Sequence, residues 1–252
     1  MRCSNTRPRC ECDRDARAAD RATTAGTGLA KITDSLASCG YAVIENILDE
    51  NDCRALTQSY SLQEMFRNRV VMQRYGYGRG EYKYFAYPLP EIVTTLRTGL
   101  YAPLAHIANL WKEAMAINVR FPHEHETFLA LCHDAGQNKP TPLLLHYKQG
   151  DYNCLHQDLY GEHVFPLQVA FLLSQPGQDF SGGEFVLTEQ RPRMQSRAEV
   201  VPLRRGDGVV FAVHHRPVQG KRGKYRVNMR HGVSRLHSGH RHTLGVIFHD
   251  AR

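Results

Sequence analysis

The second half of the chain is a series of short apolar runs, and this pattern constrains the fold most. After the Pro-Thr-Pro break at residues 140–142, the runs LLLHY, LQVAFLL, GEFVL, GVVFAV and TLGVIF follow one another, separated by glycine, proline and charged residues. Short runs with turn residues between them are typical of antiparallel β-strands. We therefore expect residues 140–252 to form a double-sheet jelly roll, also called a double-stranded β-helix.

The first half has helical spacing instead. The segments LAKITDSLASCG and TTLRTGLYAPLAHIANLWKEAMAI place apolar residues three and four positions apart, and YAVIENIL reads as a buried strand between helices. This spacing indicates amphipathic helices that support a sheet. The fold class predicted is α+β, mainly β, with helix-rich support over residues 27–139 and the β core over 140–252. A single domain over residues 27–252 follows, since single domains commonly reach about 250 residues.

Residues 1–26 are polar, rich in arginine and aspartate, and without hydrophobic periodicity, which predicts a disordered or loosely attached tail. Its cysteines, Cys3, Cys10 and Cys12, lack the Cys-x-x-Cys pairing or the nearby histidine that would complete a zinc site. An odd total of seven cysteines predicts reduced thiols. No apolar leader precedes the domain and no run approaches the ~18 apolar residues of a membrane span. We expect a cytoplasmic protein with no membrane partner.

Two basic stretches stand out along the chain. RYGYGRGEYKYFAYPLP, between Met72 and Pro90, interleaves tyrosines with arginine and lysine and is predicted to be a surface segment or irregular hairpin. HHRPVQGKRGKYRVNMR, directly before His231, is predicted to be a loop or hairpin at the mouth of a site that includes this histidine. With a formal net charge of +7, the chain favours a polyanionic partner such as nucleic acid.

His156 and Asp158, separated by one residue, have the composition of a two-histidine, one-carboxylate metal site when a distant histidine such as His231 is added. Residues two apart in a strand face the same side, so His156 and Asp158 can hold one ion without distorting the backbone. Such a set suits Fe(II) and leaves positions open. In a chain with fourteen histidines a His-x-Asp pair also arises by chance.

An arginine ten positions after His231 strengthens this interpretation. Arg241 offers a guanidinium fork, the group best suited to clamp a carboxylate at two points, and we expect it to bind the distal carboxylate of 2-oxoglutarate. Thr243 lies two residues on, hence on the same strand face, and adds a hydroxyl. An ordinary surface arginine and a structural threonine are the alternative interpretation.

The motifs, taken together and in order, resemble those of the Fe(II)- and 2-oxoglutarate-dependent dioxygenases over residues 140–250. They are Tyr147-x-x-Gly150-x-Tyr152-x-x-x-His156-x-Asp158, Gly182-Gly183-Glu184-Phe185, Gly206-Asp207, His231-Gly232-Val233 and Gly239-x-Arg241. Within that superfamily the chain resembles a bacterial family linked to oxidative dealkylation of damaged DNA, functionally akin to the AlkB-type demethylases. It is also similar to prolyl hydroxylases.

The resemblance implies an enzyme with Fe(II) held by His156, Asp158 and His231, and with 2-oxoglutarate and O2 as co-substrates. It also implies that Tyr147 or Tyr152 hydrogen-bonds 2-oxoglutarate. Three other histidines compete for the third ligand position, but only His231 is followed by Gly-Val and lies ten residues before Arg241; the competitors are His214, His215 and His237. The metal-like sequence at residues 123–126, HEHE, is predicted to be a solvated helix end, because neighbours on a helix do not share a face.

Two substrate classes fit the resemblance. The first is DNA or RNA with an alkylated base, contacted by basic and aromatic side chains: Arg74, Tyr75, Tyr77, Arg79, Tyr82, Lys83, Tyr84, Arg216, Lys221, Arg222, Lys224 and Arg226. The second is a peptide or amino acid, with a prolyl hydroxylase as the type. We favour nucleic acid because the lysines and arginines interleave with aromatic residues. A binding module without iron is disfavoured, since every predicted ligand residue is present.

Overall fold

The structure is a computed structural model that describes residues 28–159, 161–221 and 223–252. The predictions for the tail at residues 1–26, for its three cysteines and for Arg222 lie outside the described residues. No helix in the described ranges is long and apolar enough to cross a membrane.

Helices and strands alternate through the first half, and strands fill the second. The described helices are α1 (residues 28–39), α2 (Glu50–Ser59), α3 (Glu91–Ala114) and α4 (His125–Asp134). The described strands are β1 (Tyr41–Ile44), β2 (Phe66–Val71), β3 (Gly78–Arg79), β4 (Glu81–Phe85), β5 (Leu143–Lys148), β6 (Tyr152–His156), β7 (Leu167–Leu172), β8 (Phe180–Gly182), β9 (Phe185–Gln190), β10 (Arg197–Val201), β11 (Gly208–Ala212), β12 (His215–Gly220), β13 (Gly223–Val233) and β14 (Leu236–Val246).

Two antiparallel sheets pack against each other, which confirms the predicted double-stranded β-helix with N-terminal helices. The major sheet has the order β1-β11-β7-β14-β5-β4-β2, with β8 also paired to β14. The minor sheet has the order β10-β9-β13-β6-β3, with β12 also paired to β13. Apolar side chains from both sheets meet between them, as Phe185 and Leu187 of β9 do with Val209 and Phe211 of β11.

Helix α3 covers the outer face of the major sheet. Its buried Leu96, Leu100 and Leu104 recur at four-residue intervals and belong to the same core as Leu244 and Val246 of β14. That interval places them on one stripe of the helix. Burying each such side chain stabilises the fold by roughly 1.5–3 kcal/mol. The helices therefore brace the sheet from outside, as the helical spacing predicted.

A buried ion pair fixes α3 to the end of the major sheet. Arg97 donates to the Ile247 carbonyl and to Asp250, both at 2.8 Å, and to the Tyr87 hydroxyl at 3.1 Å. His133 also contacts the Asp250 carboxylate at 2.9 Å. Burial would raise the pKa of Asp250, but the charge of Arg97 and these hydrogen bonds hold it below its usual value. All three guanidinium nitrogens of Arg97 and both carboxylate oxygens of Asp250 therefore have a partner.

The segment between Met72 and Pro90 is not only a surface segment, because β4 lies inside the major sheet between β5 and β2. Lys83 is 3% exposed; it donates to the Tyr60 carbonyl at 2.7 Å and lies over the Tyr60 ring at 4.5 Å. The prediction that Lys83 contacts nucleic acid is therefore wrong. The strand alternates sides, so Tyr82 and Tyr84 face one way and Lys83 the other.

The second basic stretch is a hairpin of β12 and β13, but it does not lie at the predicted mouth. Arg216 is fully buried, donating to the Ala37 and Ser38 carbonyls of α1 and pairing with Glu189. Arg216 is thus a structural residue, and its predicted contact with nucleic acid is wrong. The hairpin turn is eight residues from His231 along β13, roughly 26 Å at the usual strand rise.

The prediction of a solvated helix end at residues 123–126 is correct for His123 and wrong for His125. His123 is exposed, but helix α4 begins at His125, whose side chain is buried with Nε2 at 2.8 Å from the Phe248 carbonyl. Burial lowers the pKa of His125 to about 4. The residue is therefore a neutral core histidine that joins α4 to the chain following β14.

Candidate metal and co-substrate site

Neighbouring strands of the minor sheet bring the predicted metal ligands together. His156 at the end of β6 pairs in register with His231 on β13, and Asp158 follows two residues later. The distances from Asp158 Oδ1 to His156 Nε2 and from Oδ2 to His231 Nε2 are both 3.4 Å. One ligand atom from each of the three residues lies within 4.8 Å of the others. The competing His214, His215 and His237 are outside this cluster.

The histidine rings are held by their surroundings. His156 Nδ1 lies 2.8 Å from the Cys154 carbonyl, so Nδ1–H donates there and Nε2 points towards Asp158. Metal-binding histidines are commonly oriented by such a hydrogen bond. The Phe211 ring packs 4.6 Å from the buried His231 ring. Both Nε2 atoms are thereby directed at the same point.

Charges in this cluster depend on one another. Burial would raise the pKa of Asp158, but hydrogen bonds from His156 and His231 hold it well below its usual value. Burial would lower the pKa of His156, yet Asp158 raises it, whereas the pKa of His231 is lowered by burial and by His156. A carboxylate and two imidazoles at these separations suit Fe(II), because ligands bound at 2.0–2.2 Å to one ion are about 3 Å apart.

A cavity of about 200 Å³ opens above the three ligands, between the two sheets. The tyrosines Tyr77, Tyr82 and Tyr84 line one part of it, and Arg241 and Thr243 line another. Its walls are otherwise mostly apolar. A concave, mostly apolar space with a few polar groups to orient a ligand is typical of a small-molecule site.

Arg241 lies in this cavity without a counterion. The residue is 2% exposed, and its Nη1 donates to Thr243 Oγ1 at 2.6 Å. Nε makes no hydrogen bond, and no carboxylate of the described residues comes within 4 Å of the guanidinium. Burial lowers the pKa of Arg241 to about 10, so the group remains charged at neutral pH. A ligand carboxylate would supply the missing partner.

Two further buried groups lack partners in the same cavity. The hydroxyl of Tyr147, paired with Arg241 across β5 and β14, makes no hydrogen bond among the described residues, and neither does Nε2 of Gln168. Gln168 is not among the residues predicted from the sequence, although it is the only polar side chain in the run LQVAFLL. Tyr152 does not line the cavity; its ring lies 5.6 Å from the Arg235 guanidinium. Of the two predicted tyrosines, Tyr147 alone faces the site.

A glycine beside Arg241 permits this arrangement. Gly183 has φ +65°, and a Cβ there would meet the Leu236 side chain and would lie 3.2 Å from Arg241 Cδ. A left-handed backbone favours glycine. The predicted Gly182-Gly183 pair therefore also makes space for the buried guanidinium.

Known proteins resemble this chain in sequence and in fold. The sequence model of the Oxygenase-NA family, described as an oxygenase catalysing oxidative methylation of damaged DNA, matches residues 80–251. The chain belongs to the Oxygenase-NA family. An uncharacterized protein of Mycobacterium tuberculosis is 47% identical to it over 167 residues, which are 66% of this chain and 72% of that protein.

Solved structures agree with the fold. A prolyl hydroxylase of Trichoplax adhaerens, in complex with a peptide of hypoxia inducible factor, has a TM-score of 0.52 at 13% identity, covering 88% of this chain and 89% of its own. A 2OG-Fe(II) oxygenase of Burkholderia pseudomallei has a TM-score of 0.51 at 14% identity, covering 89% and 92%. These likenesses show the fold, the family match shows an oxygenase, and the structure adds a candidate His-x-Asp…His triad.

In this Oxygenase-NA chain the predicted substrate residues fall into separate groups. Tyr75 and Tyr77 are 61% and 47% exposed, and their rings stack 5.6 Å apart at the rim of the cavity. The exposed Arg74 and Arg79 flank them. The remaining predicted cations lie on the distant β12–β13 hairpin, namely Lys221, Lys224 and Arg226.

Proposed function

We propose that this oxygenase removes an alkyl group from a base of DNA or RNA by oxidation. The observation that carries the proposal is the exposed tyrosine stack of Tyr75 and Tyr77 at the rim of the cavity above the candidate triad. An unpaired base stacks on such rings irrespective of its identity. The description of the Oxygenase-NA family, which names damaged DNA, supports the same substrate class.

His156, Asp158 and His231 would hold the iron, which when bound supplies the activation of O2. Arg241 would bind the distal carboxylate of 2-oxoglutarate, assisted by the hydroxyl of Thr243. The buried hydroxyl of Tyr147 and the amide of Gln168 also line the cavity and have no hydrogen-bond partner among the described residues, so they are proposed to donate to co-substrate oxygens. These four donors are what an anionic, oxygen-rich ligand requires.

The target base would enter past the stacked tyrosines. Tyr77 lines the cavity as well as its rim, and Tyr82 and Tyr84 lie deeper, so aromatic rings extend from the surface inwards. Arg74 and Arg79 are placed to contact phosphates beside the base, since both are exposed. A base that leaves its stack to enter a pocket loses a few kcal/mol, and contacts with aromatic side chains offset the loss.

The reaction takes two electrons from the decarboxylation of 2-oxoglutarate to succinate and two from the substrate, and it delivers all four to O2. One oxygen atom enters succinate, and the other enters a C–H bond of the alkyl carbon attached to nitrogen. The resulting N-hydroxyalkyl group loses an aldehyde and leaves an N–H on the base. Oxidation of this bond removes an alkyl group, so dealkylation is the direction we propose.

The substrate class is tested by succinate release from the Fe(II)-loaded enzyme. We expect stimulation by single-stranded oligonucleotides with N-methylated bases, together with formaldehyde release, and little by unmodified oligonucleotides. A proline-containing peptide serves as the competing substrate. Stimulation by the peptide, with none by the methylated oligonucleotides, would contradict the proposal.

The tyrosine rim is tested by binding of single-stranded DNA. Replacing Tyr75 and Tyr77 with alanine should lower affinity about 5- to 100-fold, since each stacked base contributes about 1–3 kcal/mol. Replacing Lys221 and Lys224 with alanine on the distant hairpin is the matched control and should have a small effect. Equal effects of both pairs would show that general basicity, and not the rim, binds the DNA.

A further inference from the structure

A second pocket lies on the minor sheet, where the turn after β9 meets β12 and β13. Its volume is about 260 Å³, and basic and amide side chains line most of it, namely Gln190, Arg191, Arg193, His215, Arg226 and Asn228. No carboxylate of the described residues lines it. This arginine pocket therefore presents positive charge and hydrogen-bond donors on a concave surface.

The arginines of this pocket are mostly without counterions. Within the described part of the chain, Arg193 makes no hydrogen bond or ion pair, and Arg226 makes only a hydrogen bond to the Met115 carbonyl at 3.0 Å. Arg191 donates to Glu189 at 2.9 Å, but that carboxylate also pairs with the buried Arg216. The pocket thus keeps a net positive charge, which an anionic ligand would neutralise.

The turn that carries Arg193 has a backbone that favours glycine. The Met194 N–H donates to the Arg191 carbonyl at 3.2 Å, Pro192 is the second residue of the turn, and Arg193, the third, has φ +62°. Glycine is usual at the third position of a turn with this backbone, because a side chain is unfavourable at positive φ. The turn itself therefore does not require an arginine at this position.

The arginine pocket lies next to the cavity of the candidate triad. Asn228 lies three residues before His231 on β13, roughly 10 Å at the usual strand rise. Nε2 of Gln157, a residue that lines the cavity, donates to Asn228 Oδ1 at 2.6 Å. The exposed Arg230 lies between Asn228 and His231 and faces the same side of the strand as Asn228. One hydrogen bond thus joins the wall of the pocket to the wall of the cavity.

The tyrosine rim lies on the other side of the triad. Strand β3, which directly follows Tyr77, pairs with β6 opposite the position that pairs with Val233 of β13. Along β13 the order is therefore rim at Val233, triad at His231 and arginine pocket at Asn228. Five residues span roughly 17 Å, which a nucleic-acid strand with phosphates about 3.4 Å apart along its axis covers in about five nucleotides.

We propose that the arginine pocket binds a phosphate of the nucleic-acid strand whose base enters the cavity. This proposal rests on the proposed function, because it assigns the strand a second contact beyond the rim. A guanidinium fork donates to two phosphate oxygens at once, and three arginines offer such donors here. A free nucleotide carries the same phosphate group, but only a strand also accounts for the alignment of rim, triad and pocket.

The test is binding of a fluorescein-labelled, unmodified single strand of about 12 nucleotides, followed by anisotropy between about 50 and 200 mM salt. Iron and 2-oxoglutarate are omitted. The double variant Arg193→Gly with Arg226→Gln should lower the affinity roughly 3- to 10-fold. It should also reduce the slope of log affinity against log salt by about 0.7–1, the value of one phosphate contact.

The matched control removes the same charge at the turn of the β12–β13 hairpin. Lys221→Gln with Lys224→Gln should leave the salt slope nearly unchanged, since these lysines do not line the arginine pocket. Equal reductions of the slope in both double variants would overturn the proposal, as would an unchanged slope in the pocket variant.

Arg193→Gly alone separates a binding role from a structural one. Its Tm should be retained or raised, because glycine suits the positive φ, while its affinity for the single strand should fall. A lower Tm with unchanged affinity would assign Arg193 to the fold and overturn the proposal. Calorimetry with ADP identifies the source of the phosphate. Arginine-dependent binding of ADP, with unaltered binding of the oligonucleotide, would assign the pocket to a free nucleotide and also overturn it.

Failure of this proposal is distinguishable from failure of the proposed function. Succinate release with methylated oligonucleotides, together with normal strand binding by the pocket variant, would remove only the phosphate site. Succinate release with the peptide alone, together with the expected loss of strand binding, would remove alkylated bases as the substrate and retain the phosphate site.

Discussion

Arg97 and Arg241 are buried to the same degree, each 2% exposed, yet their surroundings differ. Arg97 donates from all three guanidinium nitrogens, and Asp250 neutralises its charge. Among the described residues, Arg241 makes a single hydrogen bond, to Thr243, and its Nε has no acceptor. Arg97 completes a network that stabilises the fold, whereas Arg241 has a donor available to a ligand.

The comparison teaches how a binding site differs from a core that merely contains polar groups. A buried charge without a counterion lowers the free energy of unfolding by several kcal/mol. Such a charge is retained where a ligand of opposite charge binds to it. The Tyr147 hydroxyl and the Gln168 amide, which have no hydrogen-bond partner among the described residues, share the cavity of Arg241 with the candidate triad. This concentration of missing partners in one cavity is the structural reason for locating 2-oxoglutarate there.

The largest effect is expected from Arg97→Leu. This change leaves the Asp250 carboxylate buried without its cation and should lower the free energy of unfolding by about 3–5 kcal/mol. Urea unfolding followed by circular dichroism measures it. Arg241→Leu, the same change at an equally buried position, is the matched control and should not lower stability, since no carboxylate loses its partner and an unpaired buried charge is removed. Equal losses in both variants would remove the distinction.

For the affinity of 2-oxoglutarate, the larger effect should come from the change at Arg241. Arg241→Leu should weaken 2-oxoglutarate binding by about 2–4 kcal/mol, or roughly 30- to 1000-fold, because the ligand carboxylate would enter the cavity unpaired. Calorimetry on the anaerobic Fe(II) protein measures the affinity. Thr243→Val should cost about 1 kcal/mol, the loss of one hydrogen bond. A variant of Arg241 that binds 2-oxoglutarate normally would assign the arginine a structural role.

The region around Arg97 should also respond to pH. His125 and His249 are buried, and burial and the charge of Arg97 lower the pKa of each to about 4, against about 6.5 in an unfolded chain. As pH falls from 6.5 to 4 the unfolded chain gains protons that the folded chain does not, so stability is complete above pH 6.5 and is lost through this window. Each histidine contributes roughly 2–3 kcal/mol to that loss.

Unfolding in urea at pH 7.5 and pH 4.5, with a chelator present, tests this. His125→Gln keeps a donor for the Phe248 carbonyl and should reduce the loss by roughly 2–3 kcal/mol, because His249 and His242, whose pKa values are also lowered by burial, still titrate. His123→Gln is the control, since that side chain is exposed. An unchanged pH dependence in the His125 variant would show that other groups control it.

The smallest effect is expected from Gly183→Ala. The backbone φ of +65° costs roughly 1 kcal/mol for a residue with a side chain. Gly177→Ala shares a positive φ of +79° but has nothing within 4 Å of the added Cβ, so it isolates the backbone cost. Only Gly183→Ala should also weaken 2-oxoglutarate binding, by displacing Arg241. Equal affinities in both alanine variants would show that Arg241 tolerates the contact.

The sequence predicted the fold class and the grouping of His156, Asp158 and Arg241 because strand alternation and local spacing decide which side chains share a face. The positions of the basic residues were harder. Lys83 and Arg216 look like any surface cation in the sequence, but Tyr60 and Glu189, their partners, are distant along the chain. Only tertiary packing reveals that such a residue is buried.

Gln168 illustrates the converse error. A single glutamine in an apolar strand is a common exception to the apolar pattern. The neighbouring sequence does not indicate that its amide lacks an acceptor among the described residues. The β12–β13 hairpin was likewise predicted as a hairpin or loop, while its distance from His231 depends on strand length and direction. Both facts require the sheet register, which periodicity alone does not determine.

The most direct test of the account compares 2-oxoglutarate with 2-oxopentanoate, which has a methyl group in place of the distal carboxylate. Calorimetry on the anaerobic Fe(II) protein should show that the unaltered chain prefers 2-oxoglutarate by roughly 30-fold or more, the value of a charge-assisted pair. Arg241→Leu should abolish that preference. If Arg241→Leu discriminates between the two keto acids as well as the unaltered chain does, Arg241 does not bind the distal carboxylate and the central claim is contradicted.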